Sequence, residues 1–250
     1  MTRFALAVPK LSLTIEDNLK TILTFAEKAS NKGTDLVLFP EACLTGLINN
    51  DQPDHDLLLG QTVPGPITDK LCSLSSEKNI SIALGLLERE NSSLYDTALL
   101  VSPDRGIVLK YRRMSPGWHG LEADPDVYRQ GTGIKVCEIS GLRTAFLICG
   151  DLFNDGICNR LSAISPHILL LPMSRSFADG SADQDRWNAE EFPEYSKRVA
   201  AINLPTLMVN YIGCREQDDS SFGGAVVFSS DGQIKDQLPL GNPGMIYFDL

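Results

Sequence analysis

The chain has 250 residues, a formal net charge of -10 and a pI near 4.8, with 43% hydrophobic and 22% charged residues. That balance suits a globular protein with room for one large core, and its acidity, unrelieved by any Lys/Arg-rich run with interleaved aromatics, argues against a nucleic-acid partner. No apolar run approaches the roughly 20 residues that span a bilayer, so no membrane partner is expected either.

The opening MTRFALAVPK is too short in apolar residues for a signal peptide. Six cysteines without a C-x-x-C pair then imply a reduced, cytoplasmic setting. His55, His119 and His167 have no ligand spacing with each other or with cysteine, so no metal site is expected.

In chain order, Arg3–Val8 reads as a strand, and Thr14 caps a helix whose apolar positions Ile15, Leu19, Ile22, Leu23 and Ala26 recur at helical spacing until Gly33 stops it. The run Leu36–Phe39 is apolar without alternation, as a strand covered on both faces would be. A loop rich in Pro, Gly and Asp (49–66) leads to a helix over 67–78 and strands over 80–87, 94–101 and 107–111, the last two joined by the hairpin turn SPDRG. Segments 134–139 and 142–148 form a close pair across Ser140–Gly141. A helix near 157–164, a short strand at 168–171, a long helical stretch reaching Asn203, and strands at 206–211, 224–228 and 244–248 complete the chain. With no repeat, low-complexity tract or linker, the mixture predicts one α/β domain over residues 1–250, with layered sheets and helices outside.

Cys149 closes the apolar run Leu142–Ile148 and is followed by Gly150 and Asp151, which places a thiol where a buried strand opens into a loop. Gly150 gives the backbone room to turn and leaves a gap for a substrate, while Asp151 can accept backbone hydrogen bonds that hold the turn. A lone buried cysteine is otherwise a small hydrophobe. The run Leu36–Phe39 ends in the same way on Pro40 and Glu41, delivering a carboxylate to the same edge of the same sheet if the two strands are neighbours. Partial burial would raise the Glu41 pKa toward the range useful for a general base; the alternative is a surface glutamate just past a strand. In LKYRRMSPGWHG, Lys110, Arg112 and Arg113 precede Trp118 and His119. These cations either guard an exposed strand edge or place one positive charge beside the oxygen that becomes negative in a tetrahedral intermediate.

Together these stretches resemble the nitrilase superfamily of carbon–nitrogen hydrolases, which share a Glu–Lys–Cys catalytic set in that chain order. DLVLFPEACLTG is similar to the family's Glu segment and LICGD to its Cys segment; KRVAAINLPTLMVNYIG and FGGAVVFSSDGQI extend the likeness over nearly the whole chain. The resemblance implies a four-layer α-β-β-α sandwich and an amidase-like hydrolase of small amides, carbamoyl compounds or nitriles, working through a cysteine thioester. It makes Glu41 the base and Cys149 the nucleophile, with no cofactor. Arg113 stands where the family has its lysine, since Tyr111–Arg112 is followed by a second arginine; a guanidinium can stabilise an oxyanion but is bulkier than an ammonium. Glu122 in GWHGLEADPD matches the family's second acid, and Lys110, Trp118, His119 and Gly150 are further pocket candidates.

Gly150 replaces the usual aromatic, and LFNDG replaces the run that follows it. The chain ends at the strand that many members follow with a tail packed across a dimer interface, so a homodimer here is expected without that exchange. Two rival readings stand beside the enzyme: a binding or sensor protein in which Arg113 marks lost catalysis, and a thiol redox protein using Cys149 with Cys158 as resolving thiol. The redox reading leaves Glu41 without a role.

Overall fold

The first helix forms where its caps and stripe predict: the Thr14 Oγ1 accepts from the Asp17 N–H (3.1 Å), and Leu19, Ile22, Ala26 and Ala29 are buried along one face. This helix, α1 (Ile15–Ser30), follows β1 (Arg3–Val8), and the computed structural model describes all 250 residues in this way. Next come β2 (Leu36–Leu38), α2 (Pro53–Leu59), α3 (Pro66–Lys78), β3 (Ser81–Glu90), β4 (Ser93–Ser102) and β5 (Gly106–Arg112). The second half holds β6 (Val136–Ile139), β7 (Leu142–Phe146), a 3-10 turn Cys149–Phe153, α4 (Asp155–Ala163) and β8 (Ile168–Pro172). A short turn α5 (Gln184–Arg186), a π turn Trp187–Glu191, α6 (Phe192–Ile202), β9 (Thr206–Val209), β10 (Ala225–Phe228), β11 (Ile234–Leu238) and β12 (Gly244–Asp249) complete it.

Two six-stranded sheets result, ordered β12-β1-β2-β3-β4-β5 and β11-β10-β9-β8-β7-β6. Within each, three central strands run parallel (β1, β2, β3 and β7, β8, β9) and antiparallel strands flank them. Strand alternation sorts the side chains. Phe4, Leu6, Val8, Ala98 and Leu100 join Phe146, Leu170 and Val227 in the core between the sheets, while Ala5, Ala7, Leu99 and Val101 pack under α1 and α3. Tyr195 and Val199 of α6 and Ile157 and Leu161 of α4 cover the second sheet. The architecture is the four-layer α-β-β-α sandwich.

Three expectations need correction. The strands ending at Glu41 and Cys149 are not neighbours in one sheet: β2 belongs to the first and β7 to the second, so their ends meet across the sandwich. The 49–66 loop contains α2, started by Pro53 in the first turn, where a missing N–H costs nothing. The stretch reaching Asn203 is helical only from Gln184, and residues 173–183 form a loop after β8.

Candidate active site

Glu41 leaves the end of β2 without leaving the sheet. Phe39 N–H donates to the Ala83 carbonyl (2.8 Å), Gly85 N–H to the Pro40 carbonyl (2.9 Å) and Cys43 N–H to the Gly85 carbonyl (3.1 Å), so the Pro-Glu turn stays joined to β3 although Pro40 has no N–H. A Cβ on Gly85 would stand 2.4 Å from the Glu41 Cα. Glycine is what permits that approach. The Glu41 side chain is fully buried.

Arg113 follows β5 and donates its N–H to the Asp96 carbonyl of β4 (2.8 Å), which sets these two residues opposite each other. Its Nη1 donates to Glu41 Oε1 (2.8 Å) and lies 3.5 Å from Asp96 Oδ2, while its Nε donates to Ser115 Oγ (3.2 Å). The remaining Nη2 lies against Gly150, where a Cβ would come within 2.6 Å of it. Gly150 thus leaves the space that the guanidinium occupies.

The second sheet supplies the thiol. Cys149 adopts φ +44°, the left-handed region that non-glycine residues rarely enter. Such an outlier persists only when its surroundings hold it, and Asp151 is the holding group. Fully buried, Asp151 accepts from Ile148 N–H (3.1 Å), Met114 N–H (3.1 Å), Ser115 N–H (2.7 Å) and Tyr111 Oη–H (2.6 Å), tying the Cys149 turn to the segment carrying Arg113. The Cys149 Sγ lies 3.7 Å from the Ser174 carbonyl oxygen, and the Ser174 N–H donates to Glu41 Oε2 (2.6 Å), which bridges the two sheets at the site.

Burial, reinforced by Cys149 beside it and opposed by Arg113, pushes the Glu41 carboxyl up to about 8. Burial and the Glu41 carboxyl hold Asp96 well above the usual carboxylate range. Burial works against the Arg113 charge, but Glu41, Cys149, Asp96 and Asp151 outweigh it and hold the guanidinium more firmly protonated. A cavity of about 470 Å³ opens onto Arg113, Cys149, Gly150 and Ser174, walled by Phe153, Tyr195, Arg175 and Glu190, Glu191 and Glu194. Arg175 is locked to Glu191 (2.6 and 3.1 Å) and Glu190 to Arg186 (2.9 Å).

The structure therefore brings Glu41, Arg113, Cys149 and Gly150 together and leaves the other sequence candidates elsewhere. Lys110 projects from the opposite face of β5 and pairs with Glu88 Oε1 (2.6 Å). Trp118 is buried in a separate apolar cluster with Leu87, Leu94 and Tyr128, and His119 faces Gln130 through its Nε2 (2.7 Å). Glu122 is exposed in the turn before Asp124 and does not line the cavity. In the other direction, the sequence offered no reason to single out Asp96, Ser174, Arg175 or Tyr195. Asp96 is the one charged residue of β4, and only strand pairing reveals its neighbours.

Residues 5–250 match the carbon–nitrogen hydrolase family. The chain is 32% identical over 141 residues to a formamidase of Bacillus cereus (strain Q1), a match covering 55% of this chain and 40% of that protein. The match thus spans less than half the length of that relative. The amidase from Nesterenkonia sp. AN1, in a structure showing Michael addition of acrylamide at its active-site cysteine, has the same fold: TM-score 0.82 at 19% identity, covering 100% of this chain and 93% of that one. The glutamine-dependent NAD+ synthetase from Acinetobacter baumannii is similar over 98% of this chain and 45% of its own, with a TM-score of 0.78 at 21% identity.

Proposed function

Because the chain belongs to the carbon–nitrogen hydrolase family, we propose that it hydrolyses small amides through a thioester on Cys149. The observation that supports this most is the convergence of a guanidinium and a thiol from two different sheets on one cavity, with the buried Glu41 carboxyl bonded to that guanidinium behind its wall. Ionised Glu41 takes the Cys149 thiol proton, and the thiolate attacks the amide carbonyl carbon. A C–S bond forms while the carbonyl electron pair moves onto oxygen, where Arg113 Nη2, the donor not used within the protein, meets the developing charge. Collapse of that intermediate breaks the C–N bond, and protonated Glu41 gives its proton to the departing nitrogen. Water then attacks the thioester with Glu41 as base, releasing the acid and restoring the thiol. A base whose pKa has been brought to about 8 suits both proton transfers near neutral pH.

The formamidase relatives make formamide a first compound to assay, and the cavity volume, within the range that holds much larger ligands, extends the panel to longer amides, carbamoyl compounds and nitriles. The decisive measurement is the mass of the Cys149 peptide after incubation with that panel, with acrylamide as a covalent probe of the same thiol. An acyl adduct on Cys149 and release of amine or ammonia are expected. A second reading, a binding protein on the same fold, draws on the fact that Arg113 spends Nη1 on Glu41 and Nε on Ser115. It prevails if compounds bind in the cavity while no C–N bond breaks and no adduct forms.

A further inference from the structure

We propose that Asp96 is a positioning residue for Glu41: a carboxylic acid that keeps its proton when Glu41 ionises and donates it to the Glu41 carboxylate, so that the ionised site holds one negative charge, on Glu41, opposite Arg113. The proposal rests on the reading of Glu41 as the base at Cys149 and explains how that base is kept available beside an arginine.

The geometry is asymmetric. Both carboxyls are fully buried, but the Glu41 oxygens each accept an N–H, from Arg113 Nη1 and from Ser174. Neither Asp96 oxygen accepts from any N–H or O–H, and Arg113 Nη1, which donates to Glu41 Oε1 at 2.8 Å, stands 3.5 Å from Asp96 Oδ2, so the two carboxyls lie around one nitrogen. Two carboxylates facing each other offer only acceptors. One proton between them turns the contact into an O–H···O bond. Burial of an anion without donors is costly, so the proton belongs on the carboxyl that has none and the charge on the one that has two.

The groups facing Asp96 agree with this assignment. Glu41 comes from the turn after β2, Tyr111 and Arg113 from β5 and its end, and Asp151 from the 3-10 turn of the other sheet. Arg113 is the single cation among them, and it already serves Glu41. Burial and the Glu41 carboxyl push the Asp96 titration well upward, with Asp151 adding to the effect and Arg113 opposing it.

An O–H donor stabilises the anionic form of Glu41, so its removal should raise the pH at which Glu41 becomes competent to take the Cys149 proton. The test is the pH profile of Cys149 alkylation by iodoacetamide, which requires no amide substrate. Asp96→Asn keeps a donor of the same shape and should leave the acid limb where the wild type has it. Asp96→Ala, and the volume-matched Asp96→Leu in case the smaller side chain unfolds the site, should move the limb up by about one pH unit. An equal shift in Asp96→Asn would mean that Asp96 acts as a charged partner of Arg113 and would overturn the proposal; so would a limb unmoved in both apolar variants. Glu41→Gln separates the two levels of inference. A limb indifferent to Glu41→Gln sinks the base assignment, whereas a limb that responds to Glu41→Gln but not to Asp96→Leu sinks only the role of Asp96.

Discussion

Cys149 has two properties that none of the other five cysteines shares: a left-handed backbone, and a place on the cavity wall that also carries the Arg113 guanidinium. Cys43 is fully enclosed, and burial holds its thiol well up; burial likewise raises Cys137 to about 11. Brief iodoacetamide treatment near neutral pH followed by peptide mapping should therefore find Cys149 alkylated first, and early labelling of Cys43 or Cys214 with Cys149 untouched would count against the nucleophile. The guanidinium is the next test. Loss of one oxyanion donor costs about 10²–10³ in rate, so Arg113→Ala should lose most hydrolysis, while Lys110→Ala, which breaks only a contact with Glu88, should leave the rate unchanged. Gly150→Ala would set a Cβ within 2.6 Å of Nη2, displacing it and costing about tenfold in kcat, or roughly 1.4 kcal/mol. In an Arg113→Lys background, where no Nη2 exists to displace, the same substitution should cost little. A double-mutant cycle reads this coupling directly. At this scale the sequence exposed the groups that stand at strand ends, Glu41 and Cys149, and hid Asp96, whose neighbours depend on how β3, β4 and β5 pair.

The element that holds the site is the short 3-10 turn rather than any long helix. Asp151 meets four donors from two segments, and an amide at that position offers a single acceptor oxygen and turns an NH2 toward donors it cannot use. Asp151→Asn should destabilise the protein by about 2–4 kcal/mol in urea unfolding and release Cys149 from its left-handed backbone, with activity falling further than stability alone explains. Tyr111→Phe removes one of the four bonds, and a loss near 1 kcal/mol is expected. A destabilisation by Asp151→Asn no larger than that of Tyr111→Phe would show that the turn is held by something else. Elements with continuous apolar runs were legible because burial on both faces leaves that pattern and no other. Two kinds were not: α2, whose PDHDLLL sequence carries no stripe and lies among turn residues, and β11, whose IKDQL sequence is a largely exposed edge.

At the scale of the whole molecule the site is a seam between two sheets, and its charges should be felt in global stability. The ladder on each sheet is self-contained, yet the Glu41–Ser174 and Tyr111–Asp151 bonds cross the sandwich. This is why reading two strand ends as neighbours in one sheet named two residues that do come together, for an incorrect geometrical reason. The crossing buries Glu41 and raises its pKa to about 8, chiefly by desolvation. A carboxyl raised in the folded state binds its proton more tightly there than in the unfolded chain. Its contribution is fully present below the ordinary carboxylate pKa and is lost as pH rises toward 8. The slope is about 1.4 kcal/mol per pH unit for one proton. Glu88 works in the other direction: burial is outweighed by hydrogen bonds from Arg112, Lys110 and Thr97, its pKa is lowered, and its contribution is lost only in acid. Stability should therefore peak on the acid side of neutral. Urea unfolding at about pH 6 and about pH 8 should show the wild type losing stability with rising pH and Glu41→Gln, which has no proton to release, losing about 2 kcal/mol less over the same interval. Parallel losses in the two proteins would mean that Glu41 titrates alike in the folded and unfolded chain, and burial could then no longer account for its fitness as a base.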